Sequence, residues 1–433
     1  MAFGVSFGIA GLALSNMVIH KKILSVSSIY LLFWSFAVCC DGINFIQADY
    51  VEPRTYLIIF IGCLGFWLGN ILLFSKKLFM KKGVRFFSSE IPNYTILMVL
   101  AVVYLMGGLW FLSKTIRFIY MGYPFSQLRG IFQGYVRNVT YRETDLDNFL
   151  INYVEMPLHV ILPLLAIADV AKKENHKLFY FITILGEILY FVFTQSRFGL
   201  VYIMVAGIFV YVRYQHNLPV KVVKMIRRLI SLLFIMVVLT TVHRFIKNPS
   251  MTLYQTWWAY LCGGIHLLDG GIKMVDDKNF LSYGANYIYG FLFYLESILK
   301  IGGIDYSEIY LKLTEWHVMK EWLMVNIGNK ITYCAFYTAF FDFYLDFKEA
   351  GVLLGGILLG RLCKKTLNSQ MNDNATIREI VIGLLSLIIL VMSIVRWQFT
   401  YSPFCMSYFY LFLVFFNNKH KIKLCKNRFV KES

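Results

Sequence analysis

The chain has 433 residues, of which 58% are hydrophobic and 15% charged, with a mean hydropathy of +0.61. Soluble domains carry about 25% charged residues, so a soluble globular protein is excluded; the apolar runs are continuous, as in membrane helices, rather than alternating, as in a barrel. The net charge of +17 is gathered in short clusters between those runs, which marks cytoplasmic loops rather than a nucleic-acid surface.

In chain order the apolar runs predict about 11 spans. The first covers residues 3–19; it lacks a basic leader and reads as a span rather than a cleavable signal. Spans at 23–40 and 55–74 flank the acidic stretch DGINFIQADYVEPR, and SKKLFMKKGVR then marks a cytoplasmic loop. The fourth, at 94–112, leads into a medium outer loop over 114–150. Spans at 151–170, 178–194, 198–212 and 229–245 follow, the middle two turning tightly at Gln195-Ser196-Arg197. Residues 246–348 form the long outer loop. Spans at 349–362, 379–396 and 404–417 and a basic tail close the chain, with Gly351, Gly355, Gly356 and Gly360 spaced for close helix packing. The reading is an all-α polytopic membrane protein in three parts, 1–245, 246–348 and 349–433, with its N-terminus outside. The eight cysteines show no metal spacing and read as small apolar fillers.

Within the long loop, Asp305 and Glu308 have capping-box spacing. Ile309, Leu313, Trp316, Met319 and Leu323 then recur at helical intervals. Such a helix either lies on the membrane surface with Trp316 at headgroup depth or packs on the loop's own core.

Several residues carry chemistry. Arg197, in a tight turn between apolar spans, is either a phosphate ligand or an interfacial anchor. Arg244, beside His243, ends a span at the same face. Arg117, Arg129, Arg137 and Arg142 lie in the medium outer loop, where cations are normally depleted; they fit an anionic substrate or local pairing with Glu143, Asp145 or Asp147. His266 and Asp269 are three apart and share a helix face. Asp342 and Asp346, four apart among aromatics, suit acid–base work on sugars or a helix end near Lys348. Glu187 is a carboxylate within an apolar run. No Walker A, GxGxxG or HExxH motif occurs, so a nucleotide, dinucleotide or zinc cofactor is not indicated.

Three stretches resemble the O-antigen and capsule repeat-unit polymerases (Wzy-type). TQSRFGLVYIMV is similar to the family's small-residue-Arg turn before an apolar span. YLCGGIHLLDGG is similar to the opening of its large outer loop, and NKITYCAFYTAFFDFYLDFKEAGVLLGGILLG to the Asn…Thr…Asp-Phe-Gly…Gly closing that loop, with Asn329, Thr338 and Gly351 near the matching places. In DFKEAG, Lys348 stands where glycine is usual.

The resemblance implies a C-type glycosyltransferase-like fold in the bacterial cytoplasmic membrane, without cofactor or metal. It implies transfer of a growing glycan from one undecaprenyl diphosphate to the next lipid-linked repeat unit, alongside membrane lipids, a flippase and a chain-length regulator. The catalytic candidates are then His266, Asp269, Asp342 and Asp346, and the diphosphate ligands Arg197, Arg244, Arg129 and Arg137. The alternatives are a lipid-linked oligosaccharide flippase, with Glu187 coupling to protons, and a ligase of the same fold.

Overall fold

A computed structural model of the chain describes residues 1–21, 25–44, 48–71, 91–134, 139–216, 218–247, 253–326, 332–333, 337–370 and 375–416. Its described residues are overwhelmingly helical: α1 (Ala2–His20), α2 (Val26–Ile43), α3 (Pro53–Ile71), α4 (Tyr94–Tyr120), α5 (Leu128–Gln133), α6 (Asp145–Phe149), α7 (Met156–Ala171), α8 (Lys177–Thr194), α9 (Arg197–Tyr214), α10 (Val220–Lys247), α11 (Leu253–Lys278), α12 (Tyr289–Ile301), α13 (Glu308–Trp322), α14 (Thr338–Gln370), α15 (Ile377–Met392) and α16 (Ser402–Val414). A π-helical turn, Leu150–Glu155, joins α6 to α7. Two short antiparallel strands, β1 (Val325–Asn326) and β2 (Thr332–Tyr333), pair Val325 with Tyr333 and Asn326 with Thr332.

Six stretches among the described residues are long and apolar enough to cross a membrane: α1, α2, α3, α4, the continuous Asp145–Ala171 and α8. Large apolar side chains such as Phe7, Val18, Met106 and Phe181 face outward along them. A soluble protein would bury that surface, whereas lipid leaves it without penalty. The chain is a helical membrane protein.

The described residues fall into two compact units. One comprises residues 1–73, 200–373 and 382–405; the other comprises 74–199, 374–381 and 406–433.

The first unit is built around a glycine seam between α3 and the C-terminal part of α14. A side chain at Gly65 would sit 2.4 Å from the Leu353 carbonyl, and one at Gly69 2.1 Å from that of Ile357. Reciprocally, a side chain at Gly356 would sit 2.4 Å from the Gly62 carbonyl and one at Gly360 2.0 Å from that of Phe66. Backbones this close need the small-residue spacing read from the sequence. Next to the seam, buried Asn16 of α1 donates to Ser27 (2.9 Å) and Ser28 (2.8 Å) of α2 and accepts from Asn70 of α3 (2.7 Å). Side-chain hydrogen bonds thus tie three apolar helices together where burial alone gives little direction.

The long outer segment is helical in α11, α12 and α13. α13 differs from the expectation at its start. Ser307, not Asp305, is the N-cap and makes no side-chain cap; its backbone amide donates to Glu296 (3.1 Å), while Asp305 pairs with Lys300 (2.7 Å) and Glu308 with Lys312 (2.6 Å). Trp316 packs within its own segment. It is 4% exposed, stacks on Phe280 with centroids 5.3 Å apart and lies under the Lys278 ammonium, while Leu313 is fully buried. The apolar stripe of α13 packs on its own segment because two aromatic rings and an aliphatic side chain cover one another there.

α14 is broken at Phe347 (φ −145°, ψ 29°) and Lys348 (φ 52°, ψ −136°). This turn separates the carboxylate-bearing start of the helix from the glycine-seam part. The backbone at Lys348 is one that glycine adopts freely and a residue with a Cβ resists. The residue that departs from the resembled motif therefore occupies the position with glycine-like geometry.

In the second unit, Thr144 and Asp147 form a capping box at the start of α6. Asp147 also receives Lys114 (2.6 Å) and the Trp110 indole (2.9 Å). The π-turn has a sequence cause in Pro157. Without an N–H, Pro157 leaves the Tyr153 carbonyl lacking its helical donor, and the Tyr410 hydroxyl donates there instead.

Candidate functional site

α11 carries His266, Asp269, Lys273 and Asp276 at intervals of three and four, which places all four on one face. That face meets the end of α2 and the start of α3. His266 donates through Nε2 to Asp41 Oδ1 (2.8 Å), whose other oxygen accepts from the Tyr56 hydroxyl (2.7 Å). Asp269 accepts from the Glu52 amide (3.0 Å) and the Thr55 hydroxyl (2.6 Å) and pairs with Lys273 (2.7 Å). It therefore caps α3, where a negative charge is favoured by the exposed amides and the helix dipole. Asp276 receives Arg54 (2.6 Å), Lys348 (3.2 Å) and the Tyr344 hydroxyl (2.9 Å). Burial opposes its charge, but these three donors outweigh burial and hold the carboxyl below its usual range. Arg54 reaches Glu349 as well, at 2.6 Å. His266 and Asp269 are thus the middle of a satisfied network that clamps α11 to α3.

The second pair of carboxylates lies on the first part of α14, and both are buried. Asp342 accepts from Lys320 of α13 (3.1 Å) and from the Trp397 amide (2.8 Å), so both its oxygens are committed. Asp346 differs. Its Oδ1 takes three donors, the Ser282 hydroxyl (2.6 Å) and the amides of Gly284 (2.8 Å) and Asn286 (3.0 Å). Its Oδ2 has no hydrogen-bond partner among the described residues. Burial outweighs the donors and pushes this carboxyl up to about 6. Asp346 thus combines an oxygen unpartnered among the described residues with a raised carboxyl, the properties of a general base.

Cations and hydrogen-bonding groups lie beside this pair. Asn286 donates to the Asp342 carbonyl (2.7 Å) and accepts from His317 Nε2 (2.9 Å), whose ring stacks on Tyr289. Burial, then the charges of Lys320 and Arg396, hold the His317 imidazole well below its usual range, so it is a neutral donor. Arg396, next to Trp397, covers the Tyr401 ring at 4.0 Å, and its Nε has no hydrogen-bond partner among the described residues. Arg396 and fully buried Gln398 both face the Tyr202 hydroxyl.

The arginines named from the sequence are distributed differently. Arg197 is the first residue of α9 and Arg244 lies near the end of α10; their side chains and all of Arg137 fall outside the described residues, as does Asn329. Arg129, on α5, bonds Gln133 at 3.2 Å and belongs to the second unit, whereas the four acid–base candidates belong to the first. In the medium outer loop Glu143 pairs with Arg117 and Lys114, and Arg142 lies 3.5 Å from Asn152. This part of the loop is locally neutralised.

Arg54, Lys320 and Arg396 were not singled out by the sequence reading. Arg396 carries the signal that marks Arg197, a cation at the end of an apolar run, here followed by Trp397. Lys320 lies off the apolar stripe of α13 and resembles a solvated residue until α14 is packed against it. No group of three or more His, Cys, Asp or Glu among the described residues has metal-binding geometry. No protein-family model matches the chain, and neither a curated protein nor a solved structure matches it.

Proposed function

We propose that the protein is an 11-span glycosyltransferase of the bacterial cytoplasmic membrane that polymerises undecaprenyl-diphosphate-linked oligosaccharide repeat units at the outer face. The observation that carries this reading is the presence, in one unit, of a buried carboxylate at Asp346 with one oxygen unpartnered among the described residues, of Lys320 bonded to its neighbour Asp342, and of Arg396 acting with Lys320 on His317. The acceptor sugar's hydroxyl passes its proton to Asp346 and its oxygen attacks the donor sugar's anomeric carbon. The bond to the diphosphate oxygen breaks, and undecaprenyl diphosphate leaves with the electron pair. Arg396 and Lys320 neutralise the charge developing on the diphosphate. The loop from Ser282 to Tyr287 supplies the hydrogen bonds to the Asp346 carboxyl among the described residues, so lifting this loop opens the carboxylate to substrate. His266 and Asp269 position α3 against α11.

The test uses purified protein in nanodiscs with synthetic undecaprenyl-diphosphate repeat unit, without nucleotide sugar or added metal. A growing glycan ladder that is lost in Asp346→Asn and Arg396→Ala, with both variants folded, is the expected result. A full ladder from Asp346→Asn refutes the assignment of the base, and a full ladder from Arg396→Ala removes that cation from the site. A second reading, a lipid-linked oligosaccharide flippase, is favoured by the carboxylates inside the helices of the second unit. Transbilayer movement of the lipid without ladder formation would establish it.

A further inference from the structure

The second unit holds a group of ionisable side chains inside its apolar helices that the transfer chemistry does not use. Glu155 ends the π-turn before α7, Glu187 lies midway along α8, His159 is one turn beyond Glu155, and Tyr104 lies within α4. All three stretches are among those long and apolar enough to cross a membrane. Glu187 is fully engaged: His159 Nδ1 donates to one oxygen (2.7 Å) and the Tyr104 hydroxyl to the other (2.9 Å). The His159 ring stacks on Tyr190, with centroids 3.9 Å apart and planes 12° apart. Glu155 is the opposite case. It is completely buried, and neither carboxyl oxygen has a hydrogen-bond partner among the described residues. It lies within electrostatic reach of Glu187, and both act on Tyr104.

Three of these four side chains occupy space made by a glycine. A Cβ at Gly107 would lie 2.0 Å from Glu155 Oε1, one at Gly186 2.6 Å from the Tyr104 ring, and one at Gly199 2.1 Å from the His159 ring. Three separate helices omit a side chain at the points where an ionisable or phenolic group projects. The backbone is adapted too. The π-turn that ends at Glu155 widens the helix, a feature concentrated at functional sites, and Pro163 denies the His159 carbonyl its helical donor. The arrangement is a built site, and its occupant follows from charge. An ionised carboxylate at Glu155, in an apolar span beside a second carboxylate and without a hydrogen bond among the described residues, is strongly disfavoured. A proton removes that cost. Glu187, held by His159 and Tyr104, is the adjacent carboxylate.

We propose that Glu155, Glu187 and His159 form a proton-binding site within the membrane helices of the second unit, with an exchangeable proton resident on Glu155. The groups facing that proton are Glu187 and Tyr190 from α8, Tyr104 from α4 and His159 from α7. Proton occupancy gives the membrane region a sensor of, or a coupling point to, the proton gradient, independent of the carboxylates of the first unit.

The experiment is difference infrared spectroscopy of the full-length protein in nanodiscs at neutral pH. The expected result is one protonated-carboxyl C=O band that shifts in D2O, is lost in Glu155→Gln and persists in Glu187→Gln. The isosteric amide of Glu155→Gln preserves packing, and an unchanged melting temperature verifies this. Absence of the band from the wild-type protein, its loss in Glu187→Gln instead, or a band that does not shift in D2O overturns the proposal. Removal of the band by sodium at constant pH makes the site a metal-cation site and also overturns it.

Discussion

Replacing Asp346 with Asn tests the electrostatics of the first unit. The carboxyl is fully buried, so solvent does not dilute the effect. Burial raises it from the ordinary value of 3.8 to about 6, a shift worth on the order of 3 kcal/mol. The sign follows from which state holds the proton. Between the two values the folded protein keeps a proton that the unfolded chain has lost, so stability falls as pH rises through this window. Wild-type protein is therefore most favoured with respect to this group below about pH 4 and has lost on the order of 3 kcal/mol by about pH 7. Asparagine cannot ionise. Its Oδ1 retains the three donors from Ser282, Gly284 and Asn286, and its amide nitrogen is left without an acceptor, at a cost of about 1–3 kcal/mol that does not change with pH. Denaturant unfolding of both proteins in detergent across this range should give a difference curve that rises steadily in favour of Asp346→Asn. A flat difference, or one of opposite slope, would refute a raised, buried carboxyl at this position and with it the choice of base.

Three further perturbations follow. Lys348→Gly should stabilise the fold by about 1 kcal/mol, because relief of the positive-φ backbone (about 1–3 kcal/mol) exceeds loss of the part-exposed ion pair with Asp276 (about 0–1 kcal/mol); a lower melting temperature would contradict this. Gly360→Leu places side-chain atoms against the Phe66 carbonyl and should part α3 from α14, read as loss of monodisperse protein in size-exclusion chromatography, whereas normal elution and melting would disprove a close seam. Lys114→Met strands the buried Asp147 carboxylate and should cost about 3–5 kcal/mol, most of it restored in Lys114→Met/Asp147→Leu. A double variant no more stable than the single one would show that the charge pair is not the source.

The helical class was legible because membrane helices must satisfy their backbone internally, and an apolar run long enough to do so is visible in one dimension. The glycine seam was half legible. Gly351, Gly355, Gly356 and Gly360 announced close packing, but the first two face Phe343 of their own helix, and the partner of Gly356 and Gly360, the Gly62–Gly69 face of α3, is nearly 300 residues away. His266 and Asp269 were found as a pair on one face. What the spacing did not reveal is that Asp269 caps a distant helix and His266 serves Asp41. Glu155 was passed over because the span was drawn from residue 151, which leaves it near an end. The π-turn and α6 extend the apolar stretch to Asp145 and place Glu155 within it.

By itself the amino-acid sequence determined a helical membrane protein, the approximate limits of its helices and the identity of its unusual side chains, because these depend on local hydropathy, proline and glycine. Tertiary structure decided which charges are free. Asp342 and Asp346 look alike along the chain, four residues apart in one aromatic stretch. Lys320 and the Trp397 amide satisfy the first, and only one oxygen of the second is met. Whether a carboxylate is a structural clamp or a titrating base depends on donors brought from other helices and on the water they exclude, and neither is written in its neighbours in sequence.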